Sequence, residues 1–196
     1  HLTVHFVDGS QANYGLVLYA TGRNPATANI GLENTAVTMR DNGEIIVDEY
    51  FQTQEPSIFA LGDIIGTPAL TPVALAQGMA FVDAWFKDSP RVVDYDNIAT
   101  AVFSSPNIAT VGLSEAKARE RFAQVTVYES EFRHLKHTLS GNSERTYMKL
   151  VVDAQTDRIL GAHMLGQDAG EIIQGIAIAI KAGATKAVSV SYTHRT

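Results

Sequence analysis

Two short apolar runs that stop at glycine set the firmest limit on how this chain can fold. Leu16-Val17-Leu18-Tyr19-Ala20 and Ser57-Ile58-Phe59-Ala60-Leu61 lack the alternation of a half-buried strand. Each is therefore predicted to be a strand buried on both faces, as in a sheet covered by helices. The first run ends in Thr21-Gly22-Arg23-Asn24-Pro25, where glycine permits unusual dihedrals and proline restricts Asn24, so the chain leaves a sheet there. Ahead of it, Leu2, Val4 and Phe6 alternate with polar residues up to a break at Asp8-Gly9, predicting a strand, a turn and a second strand formed by the apolar run. Asp41-Asn42-Gly43 is a turn signal, with a short strand expected over residues 44–48.

The second run is cut off by Gly62-Asp63. Shortly after it Thr71 is expected to cap a helix with Pro72 at its first position, and Val73, Leu75, Ala76, Met79, Ala80, Val82, Ala84, Trp85 and Phe86 predict a largely buried helix. A polar, proline-containing stretch between Asp88 and Tyr95 marks a domain boundary. Beyond it the pattern changes to strands around residues 101–103 and 110–112, a helix capped by Ser114, a strand from Val125 and a hairpin spanning residues 147–164. Asp168 and Glu171 have the spacing of a capping box, opening a helix whose stripe holds Ile172, Ile173, Ile176 and Ile180 and which closes near Gly183. The expected architecture is an α/β portion followed by an α+β unit with an antiparallel sheet.

A net charge of -6 with no clustered basic face argues against a nucleic-acid partner. No apolar run approaches the roughly eighteen residues that span a bilayer, and the N-terminal residues lack the pattern of a signal peptide, so a cytoplasmic protein with no membrane partner is expected. Cysteine is absent, which removes a thiol nucleophile and Cys-ligated zinc from this sequence, and the six histidines have no metal-binding spacing, so no metal site is expected.

Three motifs in order, Leu18-Tyr19-Ala20-Thr21-Gly22-Arg23-Asn24-Pro25, Ile58-Phe59-Ala60-Leu61-Gly62-Asp63 and Leu70-Thr71-Pro72-Val73-Ala74, are followed by Asp94-Tyr95-Asp96-Asn97-Ile98 and Ala101-Val102-Phe103-Ser104. Together they resemble the flavin- and pyridine-nucleotide-dependent disulfide reductases, and among them the glutathione-reducing members. The resemblance runs to about Lys186. It implies the end of an NADPH-binding domain over residues 1–22, the C-terminal part of an FAD-binding domain over 23–95, and a dimerisation or interface domain over 96–196, altered after about 186. The fold class so implied is an α/β remnant of the FAD- and NAD(P)-binding domains followed by an α+β dimerisation domain.

The resemblance also implies roles. A strand ending in Gly62-Asp63 brings a carboxylate to the carboxyl edge of a sheet, where open α/β folds bind ligands; in the family this aspartate bonds the ribityl chain of FAD. Leu70, Thr71 and Pro72 open a helix whose free amides and partial positive charge suit the pyrimidine side of a flavin. Gly22, Arg23 and Ala101 match positions near NADPH, although Arg23 equally suits a surface ion pair. Arg133, His134, Leu135 and Lys136 fall where the family presents residues to the disulfide substrate across a homodimer; Leu135 and Lys136 are the substrate candidates, with a solvated basic turn as the alternative for Lys136.

The family passes a hydride from NADPH to FAD and electrons through a Cys pair to the disulfide, with a histidine managing the proton. The Cys pair is absent here, and His194 lacks the following proline of the family motif, so no residue is assigned a catalytic role. The expectation is a C-terminal fragment of an NADPH-dependent glutathione-disulfide reductase, inactive by itself, with residues 187–196 altered by a frameshift, a cloning scar or an assembly end. The alternatives are another flavin disulfide reductase, such as one acting on dihydrolipoamide, trypanothione or mercuric ion, or a stand-alone dimerisation module.

Overall fold

A computed structural model describes residues 1–190; His194 and the other tail positions from 191 onward lie outside the described residues. The chain divides into two compact units, His1–Asp94 and Tyr95–Thr196.

In the first unit β1 (Leu2–His5) pairs antiparallel with β2 (Gln11–Tyr14). The turn fixes this register: Asp8 Oδ1 accepts from the Ser10 amide, and the Phe6 amide donates to the Ser10 carbonyl at 2.9 Å. The closure makes Gln11–Tyr14 the second strand and leaves the apolar run at 16–20 without a sheet partner. Leu16, Leu18 and Tyr19 are more than four-fifths exposed, so the buried strand expected there is not formed. A continuous apolar strand needs neighbours on both sides, and none of the described residues supplies them.

The core of this unit is built from loops and one helix. Val37, Ile45, Phe51, Ala60, Ile65 and Ala80 are buried together. The strands expected at 44–48 and 57–61 are reduced to single bridges, Met39 with Ile45 and Gln52 with Phe59, because each segment bonds a tight neighbouring turn: Ala60 N donates to Phe51 O, and Ile45 N to Ile64 O. Helix α1 (Thr71–Phe86) forms as expected, but Thr71 is its first residue and extended Leu70 is the cap position, with no side-chain cap bond. Nor is the helix largely buried. Val73, Gln77 and Ala80 face inward, while Leu75, Met79 and Phe86 are more than half exposed.

The second unit is an antiparallel five-stranded sheet in the order β3-β4-β7-β6-β5. Its strands are β3 (Thr100–Val102), β4 (Ile108–Gly112), β5 (Val125–Phe132), β6 (Thr146–Asp153) and β7 (Ile159–Leu165). One face carries Ala109, Val111, Ala162 and Met164 against Ile173, Ala177 and Ile180 of α4 (Ala169–Lys181). Gly112 and Gly161 stand opposite each other, and a Cβ on Gly161 would collide with the Leu113 carbonyl, so both strands meet where only hydrogen fits. Ser114 caps α2 (Glu115–Arg121) as expected, its hydroxyl accepting from the Lys117 amide at 3.3 Å. The capping box on α4 does not form: Asp168 has φ 61°, a left-handed conformation whose side chain makes no cap bond. Ile172, expected in the buried stripe, is 37% exposed. Two short helices complete the unit, α3 (Lys136–Ser140) and α5 (Lys186–Val190); Asp157 holds the start of α5 by accepting from the Ala187 amide at 2.8 Å.

The opposite face of the sheet carries a cross-strand row of Thr110, His163, Lys149 and Glu129. Lys149 Nζ lies 2.6 Å from Glu115 Oε2 and 3.2 Å from Glu129 Oε1. Hydrogen bonds from Lys149 and Arg119 hold the Glu115 carboxyl below its ordinary range, and bonds from Tyr147 and Lys149 do the same for Glu129. Burial pushes the His163 imidazole down, opposed by its contact with the Leu113 carbonyl and aided by the Lys149 charge. All three groups have depressed folded values, so their stabilisation is present above the unfolded values and is lost as pH falls through the folded ones. Stability measured by urea unfolding should therefore fall first below about pH 6.5 and again below about pH 4.5. His163→Asn should remove the first stage and Glu115→Gln should weaken the second. A flat profile between those two values would contradict the role given to His163.

Candidate cofactor site

Gly62-Asp63 opens a 3-10 turn, Gly62–Ile65, entered from extended Leu61. Gly62 has φ 81°, and a Cβ built on it would sit 3.8 Å from the Ala74 Cβ, so the turn lies close against the first turns of α1. The link is a single buried side chain. Gln77 is fully buried on the inward face of α1; its Oε1 accepts from the Gly62 amide at 2.6 Å and its Nε2 donates to Thr67 Oγ1 at 2.8 Å. Both ends of the segment joining the strand to the helix are thus fastened to the helix itself.

What this leaves outward is polar and available. Asp63 is exposed, and among the described residues its carboxylate has no hydrogen-bond or ion-pair partner. The Leu70 carbonyl accepts from both Val73 and Ala74 at 3.0 and 3.1 Å. Pro72 has no amide hydrogen, and the Thr71 amide finds no acceptor among the described residues. The chemistry is that of one carboxylate acceptor beside an amide donor at the positive end of a sixteen-residue helix dipole. Arg40 and Glu44, paired at 2.7 Å, close the far side: a Cβ on Gly66, which ends the turn at φ 76°, would collide with the Glu44 carboxylate.

Of the residues singled out in the sequence, Gly62, Asp63, Leu70, Thr71 and Pro72 are gathered around this one helix opening. Gly22 (φ 97°) and Arg23 lie in the exposed unpaired segment of the same unit, with no hydrogen bond or ion pair to the cluster among the described residues. Ala101 lies on the edge strand β3 of the second unit, its side chain packed against the start of α4, where a Cβ on Gly170 would approach it to 3.3 Å. Leu135 is 89% exposed just ahead of α3, and Lys136 Nζ is bonded to Gln167 Oε1. The residues overlooked in the sequence are Gln77 and Thr67. Gln77 interrupts the inward stripe of Val73 and Ala80 at helical spacing, and a lone polar residue in such a stripe is the signal that could have found it.

Replacing Gln77 by Leu strands the Gly62 amide and the Thr67 hydroxyl while keeping the helix apolar. The first unit should lose about 1–3 kcal/mol, read by urea unfolding on the fluorescence of Trp85, the only tryptophan in the sequence. A loss within about 0.5 kcal/mol, the level of an ordinary surface change, would mean that Gln77 does not hold the turn.

Residues 98–194 match the dimerisation domain of the pyridine nucleotide-disulphide oxidoreductases, and residues 1–78 match a second domain of the same family. A glutathione reductase of Burkholderia cepacia is 48% identical over 95% of this chain, and the chain spans 41% of that relative. The chloroplastic/mitochondrial glutathione reductase of Pisum sativum is 47% identical over 91% of the chain, which spans 32% of it. A trypanothione reductase of Trypanosoma congolense is 39% identical over 92%, spanning 37% of that protein. Among solved structures, the HOCl-induced flavoprotein disulfide reductase RclA of Escherichia coli superposes with a TM-score of 0.85 at 30% identity, covering 96% of this chain and 43% of that one.

Proposed function

The chain belongs to the pyridine nucleotide-disulphide oxidoreductases, and from that premise we propose that it is the C-terminal portion of an NADPH-dependent, FAD-containing glutathione-disulfide reductase. One observation carries the reading. The Gly62-Asp63 turn is tied by Gln77 to the helix that opens at Leu70, Thr71 and Pro72, so a carboxylate and an amide that have no partner among the described residues are held on one element. These groups fit a flavin. Asp63 accepts from the ribityl hydroxyls, and the Thr71 amide with the dipole of α1 stabilises negative charge on the pyrimidine side of the ring. When bound, the flavin supplies two-electron transfer between a nicotinamide and a disulfide.

The remaining roles rest on family membership. Gly22 and Arg23 of the first unit, and separately Ala101 of the second, match family positions near NADPH. The second unit pairs two subunits into a homodimer, and Leu135 and Lys136 reach the glutathione disulfide bound across it. Thiol-disulfide exchange needs a thiolate, and a sequence without cysteine does not supply one. The chain alone is therefore inactive as a disulfide reductase, and the complete enzyme works in the cytoplasm.

Within the complete protein, NADPH-dependent reduction of glutathione disulfide should exceed that of trypanothione disulfide or lipoamide. Asp63→Ala should weaken flavin retention about tenfold or more, each tenfold being about 1.4 kcal/mol. Preference for another disulfide would contradict the substrate assignment, and unchanged flavin content in Asp63→Ala would contradict the role of Asp63.

A further inference from the structure

Asn42 is the only asparagine in the sequence followed by glycine. It is exposed at the tip of a small hairpin closed by the Met39–Ile45 bridge. Two bonds define the tip: Arg40 N donates to Glu44 O at 2.8 Å, and Gly43 N donates to Arg40 O at 2.9 Å. Gly43 has φ 87°, a conformation that selects glycine and so leaves the amide after Asn42 flanked by no side chain. The Asn42 side chain is turned forward, its Oδ1 accepting from the Glu44 amide at 3.2 Å. That bond polarises the Asn42 carboxamide and stabilises the negative charge that gathers on Oδ1 when Cγ is attacked, as a backbone amide does in an oxyanion hole.

We infer that Asn42 is a site of spontaneous deamidation through a succinimide. The Gly43 amide nitrogen, having lost its proton, attacks Asn42 Cγ. A carbon-nitrogen bond forms, the Cγ–Nδ2 bond breaks, and ammonia leaves. Water then opens the ring at either carbonyl, giving aspartate or isoaspartate; the net reaction consumes one water and involves no redox change. The attacking nitrogen is engaged with Arg40 O in the closed hairpin, so opening of that bond gates the step. Asn142 provides an internal comparison. Its Oδ1 likewise accepts from the amide two residues on, Glu144 N at 2.9 Å, but serine follows it, and the side chain hinders ring closure.

The consequence reaches the candidate cofactor element. A new carboxylate at position 42 competes with Glu44 for Arg40, whose pair with Glu44 lies against Gly66 at the end of the Asp63 turn. Isoaspartate also adds a backbone atom between the residues that hold Gly43 N on Arg40 O and Gly43 O on Thr27 Oγ1, so the two bonds lose their register.

The test is peptide mapping of the full chain after prolonged incubation near neutral pH and at about pH 9, resolving aspartate from isoaspartate, with Asn42→Gln as the control that closes no five-membered ring. Asn42 should convert before every other asparagine, with a rate that rises with pH as a deprotonated nucleophile requires, and faster still in urea-unfolded chain. The isoaspartate form should unfold at lower urea than unmodified chain, and Asn42→Asp, which adds charge without lengthening the backbone, should fall between them. Asn42 persisting as the amide in the folded chain, or converting no sooner than Asn142, would overturn the proposal; equal rates in folded and unfolded chain would overturn the gating by the hairpin.

Discussion

A single carboxamide inside an apolar helix face holds the turn that carries Asp63. Gln77 has one acceptor and one donor group to satisfy away from water, and it satisfies them on Gly62 N and Thr67 Oγ1, the two ends of the turn that carries Asp63. A buried amide left without partners would cost more than any one of these bonds contributes. The turn is thus locked to α1 by the penalty of releasing it. The turn lies in ordinary van der Waals contact with Ala74 of α1, and Asp63 and Thr71 remain exposed beside it.

Both units bury a core and leave large apolar side chains exposed, among them Phe103, Leu135, Leu139 and Ile178 in the second. The second closes its sheet face with Ile173, Ala177 and Ile180 and balances Lys149 with two carboxylates on the other. The first leaves Leu16, Leu18 and Tyr19 exposed, and with them Leu75, Met79 and Phe86 along α1. Apolar surface of that extent is where a protein meets something else. Under the proposed reading it meets the remainder of a reductase of which this chain spans about two fifths of the Burkholderia relative's length.

What could be read from the sequence was whatever is decided within a few residues. The Ser114 cap, the β6-β7 hairpin and the closure of α4 at Gly183 depend on local periodicity and local bonds, and they stand where the pattern put them. The candidate site was legible as five residues in two motifs, but not the side chain that joins them, because Gln77 acts across fifteen positions on Gly62. The failures have causes that lie outside the local pattern. The run at 16–20 reads as a buried strand only if other strands flank it, and the Asp168 box requires an extended cap residue, whereas the bond from Gly166 N to Asn107 O turns the chain so that Asp168 enters with positive φ. Helix α1 reads as buried for the same reason that the 16–20 run does: composition records apolarity, not the presence of a neighbour.

The central claim is that the Asp63 carboxylate and the opening of α1 grip one flavin. The most direct measurement is a crystal structure of the complete FAD-bound protein. The account predicts a ribityl hydroxyl within hydrogen-bond distance, about 2.7 Å, of the Asp63 carboxylate, with the pyrimidine edge of the ring against the Thr71 amide. Flavin density elsewhere, with Asp63 facing solvent and the first turn of α1 bare, would contradict it.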